Sequence, residues 1–400
     1  MLWSRSKKGI PVTLIFVTMS AIAYLERHRP PTLPKRFSQQ RSPGLVIEPI
    51  FDDAAEDAPM AILAEPPLWR TWPHKTVVRA PGRHCAWARF APPRTPGLRP
   101  PVNSSMICLR NETDLLCDEV RRIGYWPECA DLPGLYTRAV ATLSAEIRRR
   151  PRVAFPSGPL LFVDAGANVG ACTMHMLLAS SAKVISFEPS GANLFHASSS
   201  ILGVRHLAPP ARLRLYPIAL GASNASGLLY SAIGNAGHSV VDSNAPFYAP
   251  KGHEEAQRIL VRTLDDVLWP EPARSEAPPP TVVLLKLDLE GFECKAVHGM
   301  RHLLQAHAIR FIKTEVFDYG LRQQGCSGVE LQQLLASAGF RLYPHDPGDH
   351  PAQPPLDPAV LLGTLTGDPY NLYCVQARPY PRFTDLRRMR TAAAGSAAAG

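Results

Sequence analysis

A doubly wound, mostly parallel α/β sheet is the fold the sequence predicts for residues 159–377. Two observations predict it. From Pro159 onward, short apolar runs alternate with segments of helical periodicity, the pattern of strands joined by crossover helices. Several of those runs end in an acidic residue or a glycine turn, and open α/β sheets hold their ligands at the carboxyl ends of strands.

The elements follow in order. Residues 160–164 read as a strand, 166–170 as a turn and 171–180 as a helix. A second strand at 184–188 leads into a helix at 192–201, and 213–220 reads as a third strand. The stretch 221–241, rich in Gly, Ser and Asn, has hairpin character. Residues 259–269 come next, and the triple proline in 270–280 marks a loop. The most apolar strand spans 282–288. A helix is expected over 293–305, a strand over 309–316 and a helix over 329–338. Residues 340–343 and 372–375 are expected to close the sheet as a hairpin, which makes the last strand antiparallel.

The rest of the chain reads differently. Its 41 prolines are about twice the usual share and crowd the first third and two later loops. Residues 30–110 are therefore expected to form a Pro/Arg-rich, largely irregular stem. Residues 111–158 are expected to be a helical extension, because Tyr136, Val140, Leu143 and Ile147 fall on one helical stripe. A flexible tail is expected at 378–400.

Arg5, Lys7 and Lys8 precede an apolar run at 10–25, which Glu26, Arg27, His28 and Arg29 close. Residues 1–29 thus read as a cytosolic tail and membrane anchor. The charge bias places the bulk of the chain in a lumen, as in a single-pass type II protein of the ER or Golgi. A cleaved secretion signal and an organelle-targeting segment are the alternatives. Three N-glycosylation acceptors, Asn103, Asn111 and Asn224, agree with a lumen. Cys85, Cys108, Cys117 and Cys129 have wide spacings without C-x-x-C, which points away from zinc. Two disulfides among them, or free thiols, are expected; Cys172, Cys294 and Cys374 read as inert small hydrophobes.

The net charge of +9 is uneven. Residues 1–150 hold 22 Lys and Arg against 14 Asp and Glu, and the remainder holds 21 against 20. Nucleic-acid enzymes carry a basic face at the site, so no nucleic-acid partner is expected.

Three motifs carry the chemistry. The first is Phe162-Val-Asp-Ala-Gly-Ala-Asn-Val-Gly170, a strand ending in a glycine turn that opens a helix. Gly166 and Gly170 are separated by three residues and Asp164 precedes them, unlike the G-x-G-x-x-G that leaves a helix N-terminus free for pyrophosphate. An acid at the lip suits a cationic ligand, and S-adenosylmethionine carries an ammonium and a sulfonium. The second motif is Ser186-Phe-Glu-Pro189, where Glu188 can accept both ribose hydroxyls of an adenosine. The third is Leu285-Lys-Leu-Asp-Leu-Glu-Gly-Phe-Glu293, which sets Asp288 and Glu290 at a central strand tip. One of these acids can hold an ammonium or serve as a base. Glu315 ends the next strand in the same region. A Mg²⁺ site lacks an obvious ligand set, so no metal is expected.

Together these segments, with Ala219-Leu-Gly221, 261–268 and Thr314-Glu315 in the same order, resemble the FkbM family of S-adenosylmethionine-dependent methyltransferases over about 160–375. The resemblance implies a seven-stranded, Rossmann-like sheet of the class I methyltransferase kind. It implies O-methylation of a sugar or small-molecule hydroxyl, with Asp164, Gly166, Asn168, Gly170 and Glu188 lining the cofactor site. The helix after Glu188 departs from the family pattern at Ser190-Gly-Ala-Asn193. A hydroxyl acceptor needs a base within reach; Asp288 or Glu290 is the first candidate and His238, in a loop expected to cover the site, the second. A non-catalytic luminal cofactor-binding protein and a dinucleotide-dependent oxidoreductase are the alternative functions.

Overall fold

The computed structural model describes residues 46–49, 76–79, 84–93, 104–111, 114–149, 159–204, 212–232, 235–242, 253–359 and 369–379. The expected anchor at 10–25, much of the stem and nearly all of the tail lie outside them. Among the described residues, no helix is long and apolar enough to cross a membrane.

In chain order the strands are β1 (Val46–Pro49), β2 (Thr76–Arg79), β3 (Ala86–Phe90), β4 (Ser105–Leu109), β5 (Leu160–Ala165), β6 (Lys183–Phe187), β7 (Leu213–Tyr216), β8 (Ala219–Leu220), β9 (Ala225–Ala232), β10 (Asn235–Asp242), β11 (His253–Arg262), β12 (Thr281–Leu287), β13 (Phe311–Val316), β14 (Phe340–Tyr343) and β15 (Tyr370–Gln376). The helices are α1 (Leu115–Ile123), α2 (Leu132–Arg149), α3 (Ala171–Ala179), α4 (Gly191–Gly203), α5 (Leu264–Leu268), α6 (Glu271–Glu276), α7 (Glu293–His298), α8 (Arg301–Gln305), α9 (Asp318–Gln323) and α10 (Gly328–Ser337).

Seven strands form one sheet in the order β14-β15-β13-β12-β5-β6-β7. The five from β13 to β7 are parallel, and β15 is antiparallel to both of its neighbours. Strand order runs outward from β5 in both directions, so crossover helices cover both faces. Every residue of β12 is buried, as its near-continuous apolar run requires. On one face Phe162, Val283 and Leu284 pack with Met174, Leu177, Leu135 and Leu143. On the other, Leu161, Val163, Leu285 and Leu287 pack with Val297, Leu303 and Leu331.

The first of those faces also carries a polar row. Register places Ser186, Asp164, Lys286, Lys313 and Tyr373 side by side on five successive strands. Thr173 on α3 donates to Asp164 (2.6 Å). Lys313 donates to the Glu128 carbonyl (2.6 Å) and to Asp131 (2.8 and 2.9 Å), and the Tyr373 hydroxyl donates to Asp131 (2.8 Å). Buried polar groups need such partners, and here the segment before α2 supplies them. The extension is thus built into the sheet's covering layer, with Leu132, Leu135 and Leu143 in its apolar core.

Several expectations are corrected. The run at 213–220 splits at Pro217, which cannot donate to a ladder; β8 leaves the main sheet and pairs with β11 in a second sheet ordered β10-β9-β11-β8. The proline-rich loop holds the short helix α6. The helix at 293–305 breaks into α7 and α8 at Gly299, where a Cβ would overlap the Gly221 carbonyl. The stem contributes the paired strands β1 with β2 and β3 with β4. The disulfides are Cys85–Cys108, Cys129–Cys172 and Cys294–Cys326, and Cys117 and Cys374 are buried thiols. Cys172 and Cys294, read as inert, are therefore bridged, because pairing follows three-dimensional proximity of Cα atoms and not sequence grouping.

Candidate active site

The carboxyl ends of β5, β6 and β12 converge on a cleft of about 590 Å³, part of it open to solvent. Gly166, Asn168, Glu188, Asp288 and Glu290 line it, with Phe187, Ile218, Leu220, Leu229, Val241 and Phe292 as apolar walls. The four-stranded sheet supplies Leu229 and Val241, so it forms one wall.

The glycine turn is shaped by a close approach. Gly166 has φ 85°, and a Cβ there would overlap the Asp288 carbonyl oxygen. No other residue fits between the tips of β5 and β12. The adjoining turn 289–292 closes through Phe292 N–H to Leu289 C=O (3.1 Å). Its central residues Glu290 and Gly291 have φ 54° and 97°. A Cβ at Gly291 would overlap the backbone of Gly320, so glycine lets this turn sit against α9.

Glu188 is buried, with 5 % exposure. One carboxylate oxygen accepts from the Asn168 N–H (2.7 Å); the other accepts from the Ser190 N–H (2.8 Å) and the Asn193 amide (3.3 Å). Burial pushes its pKa up to about 7, against the pull of those donors and of Arg110. Asp288 lies at the other end, 3.0 Å from Lys286 Nζ. That ammonium also donates to the Gly166 carbonyl (3.1 Å) and stands 3.5 Å from Asp164. Burial alone would lower the Lys286 pKa, but Asp288 and Asp164 outweigh it and hold the group protonated.

Asp288, Glu290 and Glu315 each offer an oxygen within 4.8 Å of the others, close enough to meet one cation. Burial first, then the neighbouring Asp288, Glu290 and Glu293, pushes Glu315 up to about 10. Glu293, buried behind the turn, accepts from the Leu289 N–H (2.6 Å) and is pushed up to about 8 by burial.

Of the residues expected at the cofactor site, Gly166, Asn168, Glu188 and Asp288 line the cleft. Asp164 and Gly170 do not. Asp164 is fully buried beneath it and bonded to Thr173 and Lys286, and Gly170 caps α3 where it approaches Ala197. The segment holding His238 is not a covering loop but part of β10. There the pairing with β9 shifts register between Asn235 and Val240; the His238 side chain is outside what is described. Sequence reasoning gave Lys286 no role, although a lone lysine inside an apolar strand was a signal that could have found it. Arg110 gave no such signal: its guanidinium bonds Asn168 (3.2 Å) and Asn193 across 58 and 83 residues of sequence.

Comparison with known proteins agrees with this geometry. Residues 164–342 match the family model described as "Methyltransferase FkbM domain". No match was found among curated proteins. Among solved structures, the methyltransferase FkbM from Methylobacillus flagellatus KT is 17% identical, with a TM-score of 0.32. The alignment covers 64% of this chain and 60% of that one. EvdMO1 is 13% identical, with a TM-score of 0.28, over 61% of this chain and 41% of that one. The chain thus spans about 60% and 41% of the two proteins' lengths, and both scores are too low to inform its chemistry. The family match lies on the strands and turns that build the cleft: residues 164–342 resemble an FkbM methyltransferase domain.

Proposed function

We propose that the domain transfers a methyl group from S-adenosylmethionine to a hydroxyl of a glycan or small molecule. One observation carries the choice of donor. The charged residues lining the cleft, among those described, are Glu188, Asp288 and Glu290, all carboxylates, and the walls between them are apolar. A pyrophosphate would meet like charge there, whereas an adenosyl group with a cationic end meets complementary charge.

The residues fit that donor in detail. Glu188, held by three donors, presents carboxylate lone pairs to ribose hydroxyls. Phe187, Ile218 and Leu220 offer apolar surface to the purine. Asp288 supports an ammonium. Bound here, S-adenosylmethionine would supply an already activated methyl electrophile. The protein's own tasks are then alignment of the acceptor and removal of its proton. Glu290, at the cleft edge, and Asp288 are the bases in reach, with His238 the alternative. An acid already ionised at neutral pH would need no base.

A luminal or secreted setting is part of the proposal, because three disulfides belong to an oxidising compartment. The reaction is tested by incubating the purified protein with labelled cofactor and a panel of glycans, lipids and small alcohols. Label on a hydroxyl supports the proposal; label confined to protein lysines or nucleic acid refutes it.

A further inference from the structure

Arg110 lies outside the segment that matches the family, directly after β4, yet its side chain bonds two residues that line the cleft. Its side chain is 3 % exposed. It pairs with Asp114, the N-cap of α1. The same guanidinium donates to the side-chain oxygens of Asn168 and Asn193. Both asparagines line the cleft and both contact Glu188, Asn168 through its backbone N–H and Asn193 through its amide NH₂.

This arrangement has a directional logic. A guanidinium has only donors, so the asparagine atoms facing it must be oxygens. Fixing the Asn193 oxygen on Arg110 turns its NH₂ toward the Glu188 carboxylate. Fixing the Asn168 oxygen holds the residue in its left-handed conformation, φ 53°, with its N–H on the other carboxylate oxygen. Asn in that conformation is tolerated but not the default. The strand that leads into Arg110 is itself anchored. Cys108, bridged to Cys85, donates its backbone N–H to Ser200 on α4 (2.8 Å), and its sulfur meets His196 on that helix (3.3 Å).

We propose that Arg110 is a positioning residue for the nucleoside end of the cleft, supplied by the end of the stem and acting through Asn168 and Asn193 on Glu188. The domain at 159–377 therefore takes a positioning side chain from the stem. This inference rests on the proposed cofactor. The charged groups around Glu188 are Arg110 with its partner Asp114, and the cleft carboxylates Asp288 and Glu290 across the opening. Arg110 lowers the Glu188 pKa; its loss raises that pKa, so the carboxylate form needed to accept hydroxyls appears only at higher pH.

The test is calorimetric titration of S-adenosylhomocysteine into the full chain between pH 5.5 and 9. It compares wild type, Arg110→Gln, Arg110→Lys and Asn193→Ser. Arg110→Gln is expected to weaken binding by tenfold or more at pH 7 and to move the pH midpoint upward. Arg110→Lys keeps the charge and should hold the midpoint near that of wild type, while affinity stays reduced because a compact ammonium lacks the planar fork that reaches Asp114 and both asparagine oxygens at once. Should Arg110→Gln not fold, Asn193→Ser, which leaves the Arg110–Asp114 pair intact, is expected to show the same loss. Folded Arg110→Gln or Asn193→Ser with affinity and pH profile within twofold of wild type would overturn the inference alone. No binding by wild type would overturn the cofactor assignment, and this inference with it.

Discussion

The two ends of the cleft treat their carboxylates in opposite ways. At one end a single acid, Glu188, is met by three hydrogen-bond donors already in place, with a guanidinium behind them. At the other, Asp288, Glu290 and Glu315 crowd within 4.8 Å, with Glu293 buried close behind. The cation at that end, Lys286, sits beneath the floor and is shared with Asp164. The first end holds one acid whose hydrogen-bond partners are fixed in advance. The second holds excess negative charge that protons, or a cationic ligand group, must relieve.

The largest expected effect comes from removing the shared cation. Lys286→Met leaves fully buried Asp164 without its counter-charge, which costs about 3–5 kcal/mol. Denaturant unfolding reads this directly, and a variant as stable as wild type would break the account of the floor. Next, Glu188→Ala removes charged acceptors worth about 1.5–3 kcal/mol per hydrogen bond. S-adenosylhomocysteine affinity should fall by roughly 10- to 150-fold, and the ligand-free protein should melt lower as well, because the Asn168 and Ser190 N–H groups and the Asn193 amide lose their acceptor.

The crowded end predicts a pH dependence. Glu293 and Glu315 titrate near 8 and 10 in the fold because burial and like charges raise them. In the unfolded chain they ionise near 4.5. Their contribution is fully present below about pH 4.5 and is lost as pH rises through 8 and toward 10. The melting temperature of the ligand-free protein should therefore fall from pH 5.5 to 8.5, and Glu315→Gln should make that fall shallower. A steeper slope in that variant would contradict the assignment. The smallest effect is expected from His238→Ala. A base contributes about 10²–10⁴ in rate, so a drop in kcat below tenfold keeps that role with Asp288 or Glu290, and a larger drop moves it to His238.

How much of this was legible follows the range of each interaction. Asp164, Gly166 and Glu188 sit at strand tips that two- and four-residue periodicities reveal, so the cleft's location could be read from the chain. Asp164 was misplaced by one layer, because alternation tells which face a side chain takes only once the sheet's covering helices are known. The four-stranded sheet was half legible: 221–241 showed hairpin character, but nothing local says that 219–220 turns away at Pro217 to join β11. Disulfide partners and the reach of Arg110 depend on contacts dozens of residues apart, which no local pattern encodes.

The most direct test of the central claim is a calorimetric comparison of S-adenosylhomocysteine and NAD⁺ on the same wild-type preparation. The acidic cleft predicts saturable binding of S-adenosylhomocysteine at one site and no detectable heat from NAD⁺. Equal or tighter binding of NAD⁺ would contradict it.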